Sequence, residues 1–366
     1  MLTLEAKVVG LGAPYICPDT EDLSDRSFEA TQRNNLNVLR IYLDQAKWID
    51  LAKFRAGHQG GNKFAEVFEL ATVAVAQKRA SFVLSCAHYY ETQKRRAGKS
   101  RANLGDTMAE LSRFHAIAPV NKIVPAEIRH YLGETPVESQ IALFGIGYRH
   151  AFATNLDLMS HLEFNFIDTL PVSHRAQLKS IATELVERFV LAAPEDAPDA
   201  ARKMFETASN ISSSAELFAT SQSELNRRID DQNLRGRLKD VAVISEIADI
   251  LAPLMTECDR LGVDLDQLLG SKDSIRNLLN GLPSRWVMSE LRRVRLRNPQ
   301  QPWKGNDLND LLSLSIAVPY CDVVVTERQW ARHINQLGLA ERFGTVVLHD
   351  LTSLPQVLAG ASRTDQ

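Results

Sequence analysis

Short apolar runs and longer helix-like patterns divide the chain into three parts. Near-continuous apolar runs, typical of strands buried on both faces of a parallel sheet, occur early and late in the sequence. They predict strands at residues 37–44, 82–85, 322–327 and 345–348. Residues 136–300 instead show apolar positions at roughly helical spacing and no convincing strand. This layout predicts one α/β domain, built from residues 1–135 and 301–366 and interrupted by a helical insertion at 136–300.

Three local patterns refine this layout. Residues 6–11 have the apolar content of a short strand, and residues 123–125 predict a short extended segment before a helix. A helix that opens near Asp307 is expected to stop before Pro319, because proline lacks the amide hydrogen that a helix needs.

Composition limits the classes of partner. With 45% hydrophobic and 24% charged residues, the 366-residue chain has ample material for a globular core. A net charge of -3 gives no whole-chain attraction to polyanions, so a nucleic-acid surface would have to be a local patch. The 4 cysteines lie far apart, which argues against a zinc finger and favours reduced thiols. No apolar run approaches membrane-spanning length and no secretory leader is evident, so we expect a cytoplasmic protein with no membrane partner.

Acidic residues recur where predicted strands end or predicted helices begin. The set comprises Asp44, Glu91, Asp307, Asp310, Asp322 and Glu327. Carboxylate oxygens suit hard cations such as Mg²⁺ or Mn²⁺, and a bound cation relieves the repulsion between neighbouring acids. Such cations activate water for phosphodiester hydrolysis. Taken singly, each acid is better explained as a helix cap or a solvated charge than as a metal ligand, so the recurrence of the placement is what favours a metal site.

Basic residues form two clusters in the sequence. The first contains Lys94, Arg95, Arg96, Lys99 and Arg101, and the second contains Arg292, Arg293 and Arg295. Both are candidates for contacts to the phosphates of a nucleic acid, and such contacts bind the backbone largely without reading its sequence. The alternative is that these side chains are solvated helix faces or partners in ion pairs.

The acidic residues also carry a family resemblance. Asp44 at a strand end, Glu91 on the helix after a second strand, the NDLND at 306–310 and the PYCDVVVTE at 319–327 together resemble the PIN-like nuclease family. The resemblance covers roughly the first 130 and last 65 residues. It implies a PIN-like α/β/α sandwich with a central parallel sheet, and Mg²⁺- or Mn²⁺-dependent cleavage of RNA or structured DNA.

Carried over residue by residue, the resemblance makes Asp44 and Glu91 the first two metal ligands. Asp310, rather than Asp307, is the preferred third ligand. Glu327 fills a fourth position that is usually an aspartate in the family, and Asp322 is a nearby reserve. The longer side chain of Glu327 either still reaches the metal or marks weakened catalysis.

The sequence therefore predicts a metal-dependent endoribonuclease with RNA as its partner and, by analogy alone, a role as a toxin or in defence. The catalytic set is Asp44, Glu91, Asp310 and Glu327, with Asp307 and Asp322 in support. The insertion would serve as a lid, a specificity module or a surface for homo-oligomer formation. One alternative is a catalytically weak RNA-binding or assembly module on the same fold, and another is a metal-dependent phosphatase acting on small substrates.

Overall fold

A computed structural model of the chain describes residues 38–158, 171–192 and 199–360. The strand predicted at residues 6–11 lies outside the described residues. Within them, no helix combines the length and the apolar composition needed to cross a membrane.

Six short strands are described, four of them in one parallel sheet. Their bounds are β1 Leu39–Leu43, β2 Ala80–Val83, β3 His115–Ile117, β4 Phe144–Ile146, β5 Val323–Val325 and β6 Val346–Leu348. The parallel sheet has the order β2-β1-β5-β6. In its register Ile41 lies opposite Phe82 on one side and Val323 on the other. The predicted parallel sheet, assembled from both ends of the chain, is confirmed.

Helices account for most of the remaining described residues. Their bounds are α1 Gln45–Arg55, α2 Ala65–Ala76, α3 Cys86–Gln93, α4 Gly98–Ser112, α5 Val120–Tyr131, α6 Val137–Gln140, α7 Gly147–Phe152, α8 Val172–Ala192, α9 Asp199–Asp231, α10 Leu238–Leu261, α11 Leu265–Leu269, α12 Lys272–Asn280, α13 Pro283–Leu296, α14 Gly305–Tyr320, α15 Arg328–Gln336, α16 Leu339–Phe343 and α17 Leu354–Gly360.

Both faces of the parallel sheet are buried under helices. Successive side chains of a strand point to opposite faces. Ile41 and Leu43 therefore join one apolar core, which includes residues of α1, α2 and α4. Tyr42 and Val324 join a second core with Leu308 and other residues of α5, α13 and α14. Burial on both faces explains why the strands are almost purely apolar.

Three local predictions are wrong. Residues 123–125 lie inside helix α5 and not in an extended segment. Helix α14 continues through Pro319 to Tyr320, where a proline so close to the end of the helix costs few backbone hydrogen bonds. The insertion does contain a strand, β4, which pairs antiparallel with β3. Each of these two strands has only three residues, too few to leave a strand pattern in the sequence.

The insertion shares its core with the sheet domain. Ala215 and Phe218 of α9 belong to the same apolar cluster as Leu308 and Leu311 of α14. Helix α9 also contacts α3, and α8 contacts α3 and α4. The helices that carry two of the predicted site residues, α3 and α14, are thus held by the insertion on one side and by the sheet on the other.

Candidate functional site

The sheet places two acids at one edge. Asp44 follows the last residue of β1, and Glu327 lies two residues after the end of β5. Because β1 and β5 are adjacent and parallel, their carboxyl ends meet, and the backbone N–H of Asp44 donates to the carbonyl of Val325 at 2.9 Å. In open α/β sheets this edge is the usual place for a ligand.

Helices α3 and α14 bring two more acids to the same place. Glu91 of α3 and Asp310 of α14 line one small pocket together with Asp44. The other residues that line it are Tyr42, Gln45, Ala87, His88, Asn309 and Ser313. Three of the four predicted catalytic acids therefore share one pocket.

Each of these three carboxylates is held by a neutral donor. Thr326 Oγ1 donates to Asp44 Oδ2 at 2.9 Å, and the indole Nε1 of Trp330 donates to Asp310 Oδ2 at 3.2 Å. Thr326 and Trp330 are themselves buried, so both donors are fixed by the core.

Glu91 is held in the same manner, because Asn309 Nδ2 donates to its Oε1 at 3.4 Å. In the part of the chain that the structure describes, no salt bridge joins a basic side chain to Asp44, Glu91 or Asp310. The three acids are oriented, but their charges are not neutralised by a paired cation.

The pKa values of all three acids are raised, as expected for buried carboxylates without a paired cation. Burial, followed by the charge of Asp44, raises the pKa of Glu91 from 4.5 to about 7. Burial, followed by the charges of Asp44 and Glu91, raises the pKa of Asp310 well above its ordinary value. The pKa of Asp44 is also raised, mainly by burial. Removing like charges from water beside one another costs free energy, which a bound cation would recover.

Glu327 lies close to the other acids but remains in solvent. Its side chain is exposed, and although it precedes the first turn of α15 it makes no capping hydrogen bond. Its charge contributes to the raised pKa values of Glu91 and Asp310. Glu327 thus affects Glu91 and Asp310 through its charge, from the rim of the pocket.

The two supporting acids of the sequence prediction have other partners. Asp307 Oδ2 accepts from Arg295 Nη2 at 2.6 Å and from the backbone N–H of Lys304 at 2.8 Å, so it caps α14 and neutralises a buried guanidinium. Asp322 precedes β5, at the opposite edge of the sheet, and its Oδ2 accepts from the backbone N–H of Arg40 at 2.7 Å. These contacts remove Asp307 and Asp322 from the candidate metal set.

His88, which is not among the residues predicted from the sequence, connects the elements that carry two of the acids. Its Nε2 donates to the carbonyl of Leu43 at 2.7 Å, and its Nδ1 accepts from the backbone N–H of Ser85 at 2.8 Å. Both bonds are satisfied by the neutral ring, and burial lowers the pKa of His88 to about 4. His88 therefore ties the end of β1, just before Asp44, to the first turn of α3, one turn before Glu91.

The second basic cluster is part of the interior. Arg292 is 1% exposed and pairs with Asp249 Oδ2 at 2.5 Å and with Glu246 Oε1 at 3.2 Å. Arg295 is 2% exposed and pairs with Asp307, as described above. The prediction that this cluster contacts phosphates is therefore wrong for both residues, because neither reaches the surface.

Arg293, the remaining member of the second cluster, is also engaged internally. Its Nε donates to Glu290 Oε2 at 3.1 Å, one turn earlier on α13, and both side chains are largely buried. The alternative that these arginines serve in ion pairs describes this cluster correctly.

The first basic cluster is divided between interior and surface. Arg101 is buried and donates to the carbonyl of Arg95 at 2.8 Å, while Arg95 donates to the hydroxyl of Ser100. Lys94, Arg96 and Lys99 are exposed. The charge of Lys94 partly offsets the rise in the pKa of Glu91, which places Lys94 near this side of the pocket.

The donor set of the pocket fits a hard divalent cation. Asp44, Glu91 and Asp310 offer only oxygen, the donor that Mg²⁺ and Mn²⁺ prefer. Across the residues that the structure describes, however, no three Asp, Glu, His or Cys side chains already converge as a finished metal-binding group. The pocket thus fits Mg²⁺ or Mn²⁺ in its charge and in its donor atoms, but its side chains are not arranged as a complete coordination shell.

Comparison with known proteins adds no assignment. No family model, no curated protein and no solved structure matches this chain. The chemistry of the pocket is therefore the basis for a functional assignment.

Proposed function

We propose that this protein is a metal-dependent endoribonuclease of the PIN-like type. The observation that carries the proposal is the pocket at the carboxyl edge of the sheet, where Asp44, Glu91 and Asp310 are held by neutral donors and have raised pKa values. A carboxylate cluster that is oriented but not neutralised is a costly arrangement unless it binds a cation.

Asp44, Glu91 and Asp310 would hold Mg²⁺ or Mn²⁺, with Glu327 at the rim of the same site. When bound, such a cation activates water and stabilises charge on the leaving oxygen of a phosphodiester. The protein contributes the orientation of the acids, which the neutral donors maintain.

The exposed side chains of Lys94, Arg96 and Lys99 support a polyanionic substrate. Lys94 and Arg96 lie between α3 and α4, and Lys99 lies in the first turn of α4, so a nucleic-acid backbone that contacts them would pass the Glu91 side of the pocket. Contacts of this kind bind phosphates irrespective of base sequence.

The test compares the wild type with Asp44→Asn on labelled single-stranded RNA, in Mn²⁺ and in EDTA. Asp322→Asn is the matched control, because it makes the same chemical change at the opposite edge of the sheet. We expect the wild type and Asp322→Asn to cleave in Mn²⁺ only, and Asp44→Asn not to cleave. Cleavage that persists in EDTA or in Asp44→Asn would contradict the proposal.

A catalytically weak RNA-binding or assembly module is the second candidate. Two observations favour it: among the described residues the acids do not converge as a finished metal-binding group, and the Glu327 side chain is exposed. This candidate predicts RNA binding without cleavage and no rise in melting temperature with Mn²⁺.

A further inference from the structure

Gln45 is a polar residue of the pocket whose amide has an unused oxygen. It is the first residue of α1, directly after Asp44, and it lines the pocket with the three acids. The side chain is 8% exposed. Gln45 is therefore adjacent to Asp44, a candidate metal-binding residue, and its buried amide is a further candidate.

The orientation of the amide follows from its neighbour on α3. Gln45 Nε2 lies 3.1 Å from Thr92 Oγ1, and that hydroxyl donates in turn to the sulfur of Met108 at 3.7 Å. Since the hydroxyl hydrogen is directed at Met108, Thr92 accepts from Gln45 and the amide nitrogen faces Thr92. The amide oxygen, Oε1, is buried and has no hydrogen-bond partner.

A buried acceptor without a protein partner is uncommon in native proteins, and one on a residue that lines a candidate ligand pocket is a candidate ligand-binding atom. The pocket around Gln45 is dominated by the acceptors of Asp44, Glu91 and Asp310. A ligand that satisfies another acceptor in such surroundings must itself be positive or carry polarised hydrogens. Amide oxygens of Asn and Gln are regular ligands of hard cations, directly or through a bound water.

We propose that the amide oxygen of Gln45 binds the divalent cation of the Asp44, Glu91 and Asp310 site, either directly or through one metal-bound water. The proposal rests on the metal site proposed above and adds a neutral oxygen to its three carboxylates. Thr92, adjacent to Glu91, fixes the amide nitrogen and leaves the amide oxygen without a protein partner.

The chain offers a matched control in Gln93. Its Nε2 donates to the carbonyl of Val190 at 2.9 Å, and its Oε1 is also buried without a partner. Gln93 is on α3 but is directed at α8, and it does not line the pocket. Replacing either glutamine by methionine removes an unpartnered amide oxygen at similar volume, so only the place of the change differs.

The experiment measures Mn²⁺ binding by isothermal titration calorimetry for the wild type, Gln45→Met and Gln93→Met, with melting temperatures recorded in EDTA. We expect Gln45→Met to bind Mn²⁺ about tenfold more weakly, the size typical of a lost supporting group, and Gln93→Met to bind like the wild type. Gln45→Glu, which keeps an oxygen at this position, should bind at least as tightly as the wild type.

The outcomes separate this proposal from the proposed function. If the wild type binds Mn²⁺ and Gln45→Met binds equally well, the role of Gln45 is overturned while the metal site stands. If the wild type itself binds no Mn²⁺, the metal site and the role of Gln45 both fail. Should Gln45→Met prove unfolded in EDTA, weaker binding by Gln45→Glu would overturn the proposal.

Discussion

Replacing Glu91 by glutamine should make the metal-free protein more stable, contrary to the usual effect of changing an oriented side chain. Glutamine keeps an oxygen that can accept from Asn309 but removes a charge that is both buried and repelled by Asp44. A tenfold change in acidity corresponds to about 1.4 kcal/mol, so a pKa raised from 4.5 to about 7 implies a penalty near 3 kcal/mol for the ionised group. Since Glu91 is half-buried, solvent screening reduces our expectation to about 2 kcal/mol.

The size of the stabilisation depends on pH in a defined way. Because the folded-state pKa of Glu91 is raised above its ordinary value of 4.5, the folded protein holds this proton more tightly than the unfolded chain does. The contribution of Glu91 to the stability of the wild type therefore falls as pH rises from 4.5 to about 7 and is then constant. The advantage of Glu91→Gln should be absent near pH 4, reach its full value above pH 7 and disappear when Mn²⁺ stabilises the wild type.

Asp307→Asn is the matched control for Glu91→Gln. Asp307 pairs with Arg295, which is 2% exposed, so removing its charge leaves a buried guanidinium unpaired. We expect a loss of about 3 kcal/mol. Urea denaturation at pH 8 in EDTA measures both variants against the wild type. A Glu91→Gln variant that is less stable than the wild type under these conditions would refute the claim that the cluster is uncompensated.

The remaining predictions concern four other positions. Trp330→Phe removes the donor to Asp310 and should weaken Mn²⁺ binding about tenfold in calorimetry; an unchanged affinity would show that the indole does not orient the acid. Arg292→Met leaves Asp249 without its cation and Glu246 with Arg285 alone, and should cost about 3–5 kcal/mol in urea denaturation without changing RNA affinity in the fraction that folds. Lys99→Gln, at an exposed site, should change stability by less than about 0.5 kcal/mol yet lower RNA affinity and its salt dependence in fluorescence anisotropy. Burial raises the pKa of Glu187 from 4.5 to about 7, so Glu187→Gln should stabilise the protein at pH 8 and have no effect at pH 4; equal effects at both pH values would contradict this.

The sheet was predictable because its strands are buried on both faces. Three consecutive valines form β5, and an almost uninterrupted apolar run forms β1, so each strand carries its own signal. Strands β3 and β4 read HAI and FGI, and they become strands through their mutual pairing and a parallel bridge from Ala116 to Leu84. That pairing is a tertiary event and leaves no periodicity in the sequence.

Placement of the acids was predictable, but their partners were not. Asp307 and Asp310 lie one turn apart on α14 and look alike in the sequence. Arg295, brought by α13, neutralises the first, whereas the neutral indole of Trp330 holds the second. Residues from other helices therefore decide which of the two acids keeps an uncompensated charge. In the same way, partners on other helices bury Arg292 and Arg295, and the local sequence does not reveal those partners.

The most direct test of the metal site is anomalous diffraction from a crystal grown with Mn²⁺. The account predicts an anomalous peak in the pocket bounded by Asp44, Glu91 and Asp310, and no such peak in a crystal of Asp310→Asn. A structure with saturating Mn²⁺ in the crystal and no anomalous peak among these three carboxylates would contradict it.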